Sequence, residues 1–90
     1  MAEVLLPRSL VALFPGTPRR LAVEAASVLQ LVDALDRTVP GLADRLLTSG
    51  PAIREHINVF VDGELAGLDT PLGPESTVHI IPAVSGGAGG

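Results

Sequence analysis

The stretch Ile57-Asn58-Val59-Phe60-Val61-Asp62-Gly63-Glu64 decides how the chain is read. Ile57 to Val61 is a run of β-branched and aromatic residues around one Asn, which is strand composition. Asp62-Gly63 follows, a pair that accepts the positive backbone angles of a two-residue type I′ turn. Residues 64–67 then return antiparallel, so the stretch is a β-hairpin. Strand side chains alternate between faces, which puts Ile57, Val59 and Val61 on one side and Asn58 and Phe60 on the other. The uniformly apolar set is predicted to face a core.

Downstream of the hairpin, residues 68–74 contain two prolines and a glycine and read as a turn-rich crossover. Residues 77–81 are a last β-branched strand, stopped by Pro82. Val78 and Ile80 should point inward, with His79 and Ile81 outward. Residues 83–90, Ala-Val-Ser-Gly-Gly-Ala-Gly-Gly, are small and glycine-rich, and are expected to form a flexible tail on a domain that occupies residues 1–82.

Upstream, Ser27-Val28-Leu29-Gln30 is a capping-box pattern in which Ser27 and Gln30 can satisfy orphan amides reciprocally. Val28, Leu31, Val32, Leu35 and Val39 recur at helical spacing, with Asp33, Asp36 and Arg37 on the other side. Pro40-Gly41 ends this helix, and a short second one is expected over residues 42–47 before Ser49-Gly50-Pro51 breaks it. At the start of the chain, residues 3–14 are rich in Val and Leu and end on Pro15-Gly16. They are predicted to be a strand kinked at Pro7, and a proline there suits the rim of a sheet. Residues 20–24 alternate polar and apolar and are predicted to pair back on that strand.

The order is strand, strand, helix, strand, strand, crossover, strand. One apolar helix stripe and one apolar sheet face must bury against each other, which makes an α+β domain with a mixed sheet packed against one main helix. This is the element order of the β-grasp, or ubiquitin-like, fold.

Composition narrows the function. Ninety residues suffice for one domain, and 47% are hydrophobic, enough for a core. With no Cys there is no disulfide framework, no Cys-based zinc site and no thiol nucleophile. The net charge is -4, and all six cationic residues are Arg, with no Lys. Nucleic-acid binding needs clustered cations and is not expected. The lysine-free composition fits an Arg-favouring genome, or a chain that avoids offering amines to its own activated end. Aromatics are 2% of residues, Phe14 and Phe60, too few for a base-stacking platform. The opening MAEVLLPRSLVALFPG is interrupted by Pro7 and Arg8 and does not read as a signal peptide. No run approaches the roughly 20 apolar residues of a membrane helix, so a cytoplasmic protein with no membrane partner is expected.

Three stretches carry a resemblance. Ser76-Thr77-Val78-His79-Ile80-Ile81-Pro82-Ala83-Val84-Ser85-Gly86-Gly87 resembles the last strand and tail of ubiquitin, and its ending resembles still more the prokaryotic MoaD/ThiS-type sulfur carriers. Residues 57–64 resemble the central hairpin of those carriers, and Leu68-Asp69-Thr70-Pro71-Leu72 the turn before their last strand. The resemblance implies a protein cosubstrate rather than an enzyme, holding no cofactor of its own. An adenylating enzyme of the ubiquitin-activating type uses ATP to adenylate the terminal glycine. A sulfur donor then converts it to a thiocarboxylate, and a sulfur-accepting biosynthetic enzyme consumes it. The resemblance leaves open a molybdopterin, thiazole or cysteine pathway, the small subunit of molybdopterin synthase, and a ubiquitin-like modifier of protein lysines. The length of the chain and the extended segment between helix and hairpin lean toward the cysteine-biosynthesis type.

Members of the family commonly stop at the first Gly-Gly, here Gly86-Gly87, whereas this chain continues to Gly89-Gly90. The reactive end implied by the resemblance is therefore Gly90, with Gly89 beside it, or Gly87 after trimming. Glycine has no Cβ, which lets backbone approach a nucleotide closely. Phe60, His79 and Ile81, all predicted on the outer face, form the candidate partner-binding patch. Phe60 falls where ubiquitin-like proteins carry an apolar docking residue, unless the N-terminal segment or the tail covers it.

Other polar residues carry less. His56 and His79 lack a third ligand at metal spacing. Asp62 and Glu64 flank a turn glycine and are read as turn chemistry. The glycine run opens no helix, so it is not a phosphate loop.

Overall fold

The computed structural model describes residues 1–82; the tail glycines and the proposed division at residue 83 lie outside the described residues. The chain order is β1 (Ala2–Leu5), α1 (Arg8–Val11), β2 (Arg20–Val23), α2 (Val28–Thr38), α3 (Leu42–Leu46), β3 (Ile57–Val61), β4 (Glu64–Leu65) and β5 (Thr77–Pro82). The five strands form one sheet in the order β2-β1-β5-β3-β4. β1 and β5 run parallel at its centre, and the other pairs are antiparallel. The sheet is mixed and α2 is its main helix, as the element order predicts.

The N-terminal segment differs from the expectation. The predicted strand over residues 3–14 ends at Leu5, and Arg8–Val11 is a helical turn. Pro7 does not kink a strand: it stands at the helix N-cap in extended geometry, and its carbonyl accepts from the Leu10 and Val11 amides at 3.1 Å each. Lacking an N–H, proline cannot continue a ladder, so the strand stops before it. Leu10 then turns into the core. Nor does this segment form a rim, because β1 lies between β2 and β5.

α2 begins where its cap predicts. Ser27 Oγ accepts from the Gln30 amide at 3.2 Å, while Gln30 Oε1 accepts from the Ala26 amide at 3.0 Å, one residue before the cap. The crossover contributes the remaining partners. The Val28 amide donates to the Thr70 carbonyl and the Leu29 amide to the Leu68 carbonyl. The orphan N–H groups of the first turn are thus satisfied from two sources.

Val28, Leu31, Val32 and Leu35 of α2 are buried in one cluster with Val4, Val59, Val61, Val78 and Ile80 of the sheet. Complete burial of a Leu or Val stabilises the fold by roughly 1.5–3 kcal/mol. α3 closes one end of this core with Leu42 and Leu46. Its start is fixed by Asp36, whose Oδ1 accepts from the Gly41 and Ala43 amides at 3.0 and 3.1 Å. Gly41 has φ +97°, and a Cβ there would stand 3.3 Å from the Phe14 ring. Both the backbone angle and the contact favour glycine at this position.

Candidate functional site

The face of the sheet turned away from α2 is set by register. Phe60 pairs with His79 across β3 and β5, and Asn58 with Ile81. Leu5 of β1 pairs with the other side of His79, Arg20 of β2 with Leu5, and Leu65 of β4 with Phe60. One row therefore crosses all five strands as Arg20, Leu5, His79, Phe60 and Leu65. Strand alternation keeps these side chains opposite to Val4, Val59, Val78 and Ile80, which are buried. None of Leu5, Phe60, Leu65 or Ile81 belongs to the core cluster or packs against it.

The predicted patch residues are brought together on this face. Phe60 is half-buried and His79 is exposed. Ile81, 43% exposed, lies two residues further along β5 on the same side. Phe60 stays outside the core cluster. Leu65, 69% exposed, and the half-buried Leu5 extend the patch and were not among the candidates. The position of Leu65 was available from the hairpin, since a two-residue turn at Asp62-Gly63 pairs Val61 with Glu64 and then Phe60 with Leu65. Leu5 carried no such local signal, because its place depends on parallel pairing with a strand more than seventy residues away.

The hairpin turn is built as its residues require. Asp62 and Gly63 have φ +51° and +87°. Asp62 also ties the turn to β5: its amide donates to the Thr77 carbonyl, and its Oδ1 accepts from the Thr77 amide, both at 2.9 Å. This fixes the start of β5; β1 pairs with it on one side as far as His79, and β3 on the other as far as Pro82. Pro82, opposite Ile57, is the last described residue of that central strand. Gly86, Gly87, Gly89 and Gly90 follow it outside the described residues.

His56 and His79 are both exposed, and lie on different strands or strand approaches. Among the described residues, no three His, Asp or Glu side chains gather as a metal site. Also among the described residues, no helix is long and apolar enough to cross a membrane. The exposed Asp62 and Glu64 flank the turn glycine, and the Asp62 carboxylate accepts there from a backbone amide.

The ThiS family model matches residues 12–87, which includes the first Gly-Gly. A chain of the Amycolatopsis orientalis BexX/CysO complex is 27% identical with a TM-score of 0.86, over 96% of this chain and 99% of that one. SAMP1 from Haloferax volcanii is 31% identical with a TM-score of 0.75, over 94% of this chain and 97% of that one. CysO of Mycobacterium tuberculosis shares the fold, with a TM-score of 0.84 at 22% identity over 93% of this chain and 100% of that one. No curated protein matches in sequence. A β-grasp sheet with an open face, a central last strand leading to Gly-Gly, and a family match over most of its length identify the chain as a member of the ThiS family of ubiquitin-like sulfur carriers and modifiers.

Proposed function

We propose that this chain is a sulfur carrier that acts as a protein cosubstrate through its C-terminal carboxylate. The supporting observation is the placement of β5. It lies at the centre of the sheet, paired with β1 as far as His79 and with β3 as far as Pro82, directly before a glycine-rich sequence. A rigid base followed by residues with little or no side chain suits delivery of a chain end into a narrow site. Eight extended residues advance ~3.3 Å each, enough to reach beyond the body. Ordering them costs roughly 1–2 kcal/mol per residue, so docking of the body must contribute to delivery.

The chemistry follows from the carboxylate. A carboxylate resists attack until it carries a good leaving group. In the proposed reaction its oxygen attacks the α-phosphorus of ATP on an adenylating partner, and pyrophosphate leaves. A sulfur nucleophile then attacks the acyl carbon and AMP departs, leaving a thiocarboxylate for a sulfur-accepting enzyme. The partner supplies positioning and charge stabilisation. The likeness to SAMP1, a small archaeal modifier protein, supports a second reading in which a protein amine attacks the same acyl-adenylate.

Intact-mass analysis of the chain with ATP, sulfide and a competent adenylating enzyme tests the proposal. An oxygen-to-sulfur mass change is expected. Its absence, with the enzyme shown active on another carrier, would overturn the carrier reading, and adducts on protein amines would favour the modifier. A chain lacking Gly89-Gly90 is expected to fail to load. Normal loading of a chain ending at Gly87 would assign that residue as the working end.

A further inference from the structure

The charges of the sheet are sorted by end. Where β5 begins, Glu24 follows β2, Asp62 lies in the β3–β4 turn with Glu64 just after it, and Glu75 precedes β5, with no arginine among them. At the opposite end, where β5 runs out, the character is basic. Arg20 pairs with Leu5 at the close of β1, and the Leu6 amide donates to the Arg19 carbonyl. Arg8 and Arg19 line one groove with Ile81 and Pro82. On the β3 side, Arg54, Glu55 and His56 precede Ile57, the partner of Pro82, and add no net negative charge.

Arg8 and Arg19 are not neutralised, and Arg19 is also held in place. Arg19 Nε donates to the Leu6 carbonyl at 3.2 Å, which orients the guanidinium. Among the described residues the one ion pair is Arg20 with Glu3, at 3.5 Å and exposed. Arg8 and Arg19 therefore present positive charge beside Pro82 on a chain whose net charge is -4. Residues 83–90 contain no charged side chain. Such a chain is repelled by an acidic surface in most orientations and attracted in the one that brings Pro82 forward. Charge arranged this way acts chiefly on encounter rate and orientation.

We propose that Arg8 and Arg19 form a collar that docks on an acidic protein surface around the site that receives the tail. The collar is distinct from the apolar row of Phe60 and Leu65, and touches it through His79 and Ile81. The proposal rests on the carrier reading, because it takes the tail to be delivered to a partner.

The test is the association rate of the full chain with its adenylating partner, measured by stopped flow over a range of salt concentrations. Arg8→Glu/Arg19→Glu is expected to associate at least tenfold more slowly at low salt and to lose most of the salt dependence. Glu24→Gln/Glu75→Gln, at the far end, is expected to associate within about twofold of the unsubstituted chain. Because Arg19 also holds the Leu6 carbonyl, Arg8→Glu alone, with an unchanged melting temperature, should show a smaller slowing of the same kind. Wild-type rates in both Arg variants would overturn the proposal, as would equal slowing in the Glu variant. Binding of a duplex oligonucleotide that is lost in the Arg variant would overturn it in favour of nucleic acid. Failure of the unsubstituted chain to bind or load would instead remove the carrier reading beneath it.

Discussion

Phe60 of β3 and His79 of β5 stand directly opposite each other in an antiparallel pair, on the face of the sheet turned away from α2. Leu65 and Leu5 flank them in the same row. The side chains buried behind them belong to their strand neighbours, Val59, Val61, Val78 and Ile80. A change at Phe60 therefore alters the outer face without opening the core.

Phe60→Glu is expected to weaken binding to the proposed adenylating partner at least tenfold, while lowering unfolding stability by no more than about 1 kcal/mol. Calorimetric binding and urea denaturation of the same sample check the two halves. A double-mutant cycle with Phe60→Ala and His79→Ala should return a coupling of about 0.2–1 kcal/mol, as for other cross-strand pairs. Loss of cooperative unfolding in Phe60→Glu would place Phe60 in the core instead.

The turn that sets this register should be sensitive to its two residues. Gly63 has φ +87° with open space where a Cβ would stand, so Gly63→Ala strains the backbone alone. A loss of about 1–2 kcal/mol is expected. Asp62→Ala also leaves the Thr77 amide without its carboxylate acceptor and should lose about 1–2 kcal/mol. Asp62→Asn keeps an acceptor and tolerates positive φ, so it should lose less. Chemical denaturation orders the three variants.

Leu31 is fully buried between α2 and the sheet, and Leu31→Ala is expected to lose about 2–5 kcal/mol. Ser27→Ala removes the cap of α2 and should lose about 1 kcal/mol. The smaller effect follows because the Val28 and Leu29 amides keep their bonds to the crossover. Urea midpoints at unchanged slope would confirm that both act on stability alone.

Most elements were legible because their signals are local. The Ser27 cap and the 28–39 spacing placed α2, observed over Val28–Thr38. Alternation in 57–61 and 77–81 assigned the inward residues, and the positive angles at Asp62 and Gly63 follow from the residue types. The misread segment was 8–13, a short apolar run in which helix and strand periods cannot be separated. Its outcome depended on Pro7 ending the ladder and on Leu10 finding space in the core.

The candidate site divides the same way. Phe60, His79 and Ile81 were assignable to one face by alternation, and Leu65 by turn length. The sequence by itself determined the hairpin, the main helix, the two-faced strands and the glycine-rich end, all properties of residues near one another in the chain. Only the tertiary structure decided that β1 lies parallel to β5, which put Leu5 beside His79 and brought Arg8 and Arg19 into one groove with Pro82. The physical reason is that parallel pairing joins distant segments through backbone bonds and shared burial, and neither leaves a mark in the local pattern of either strand.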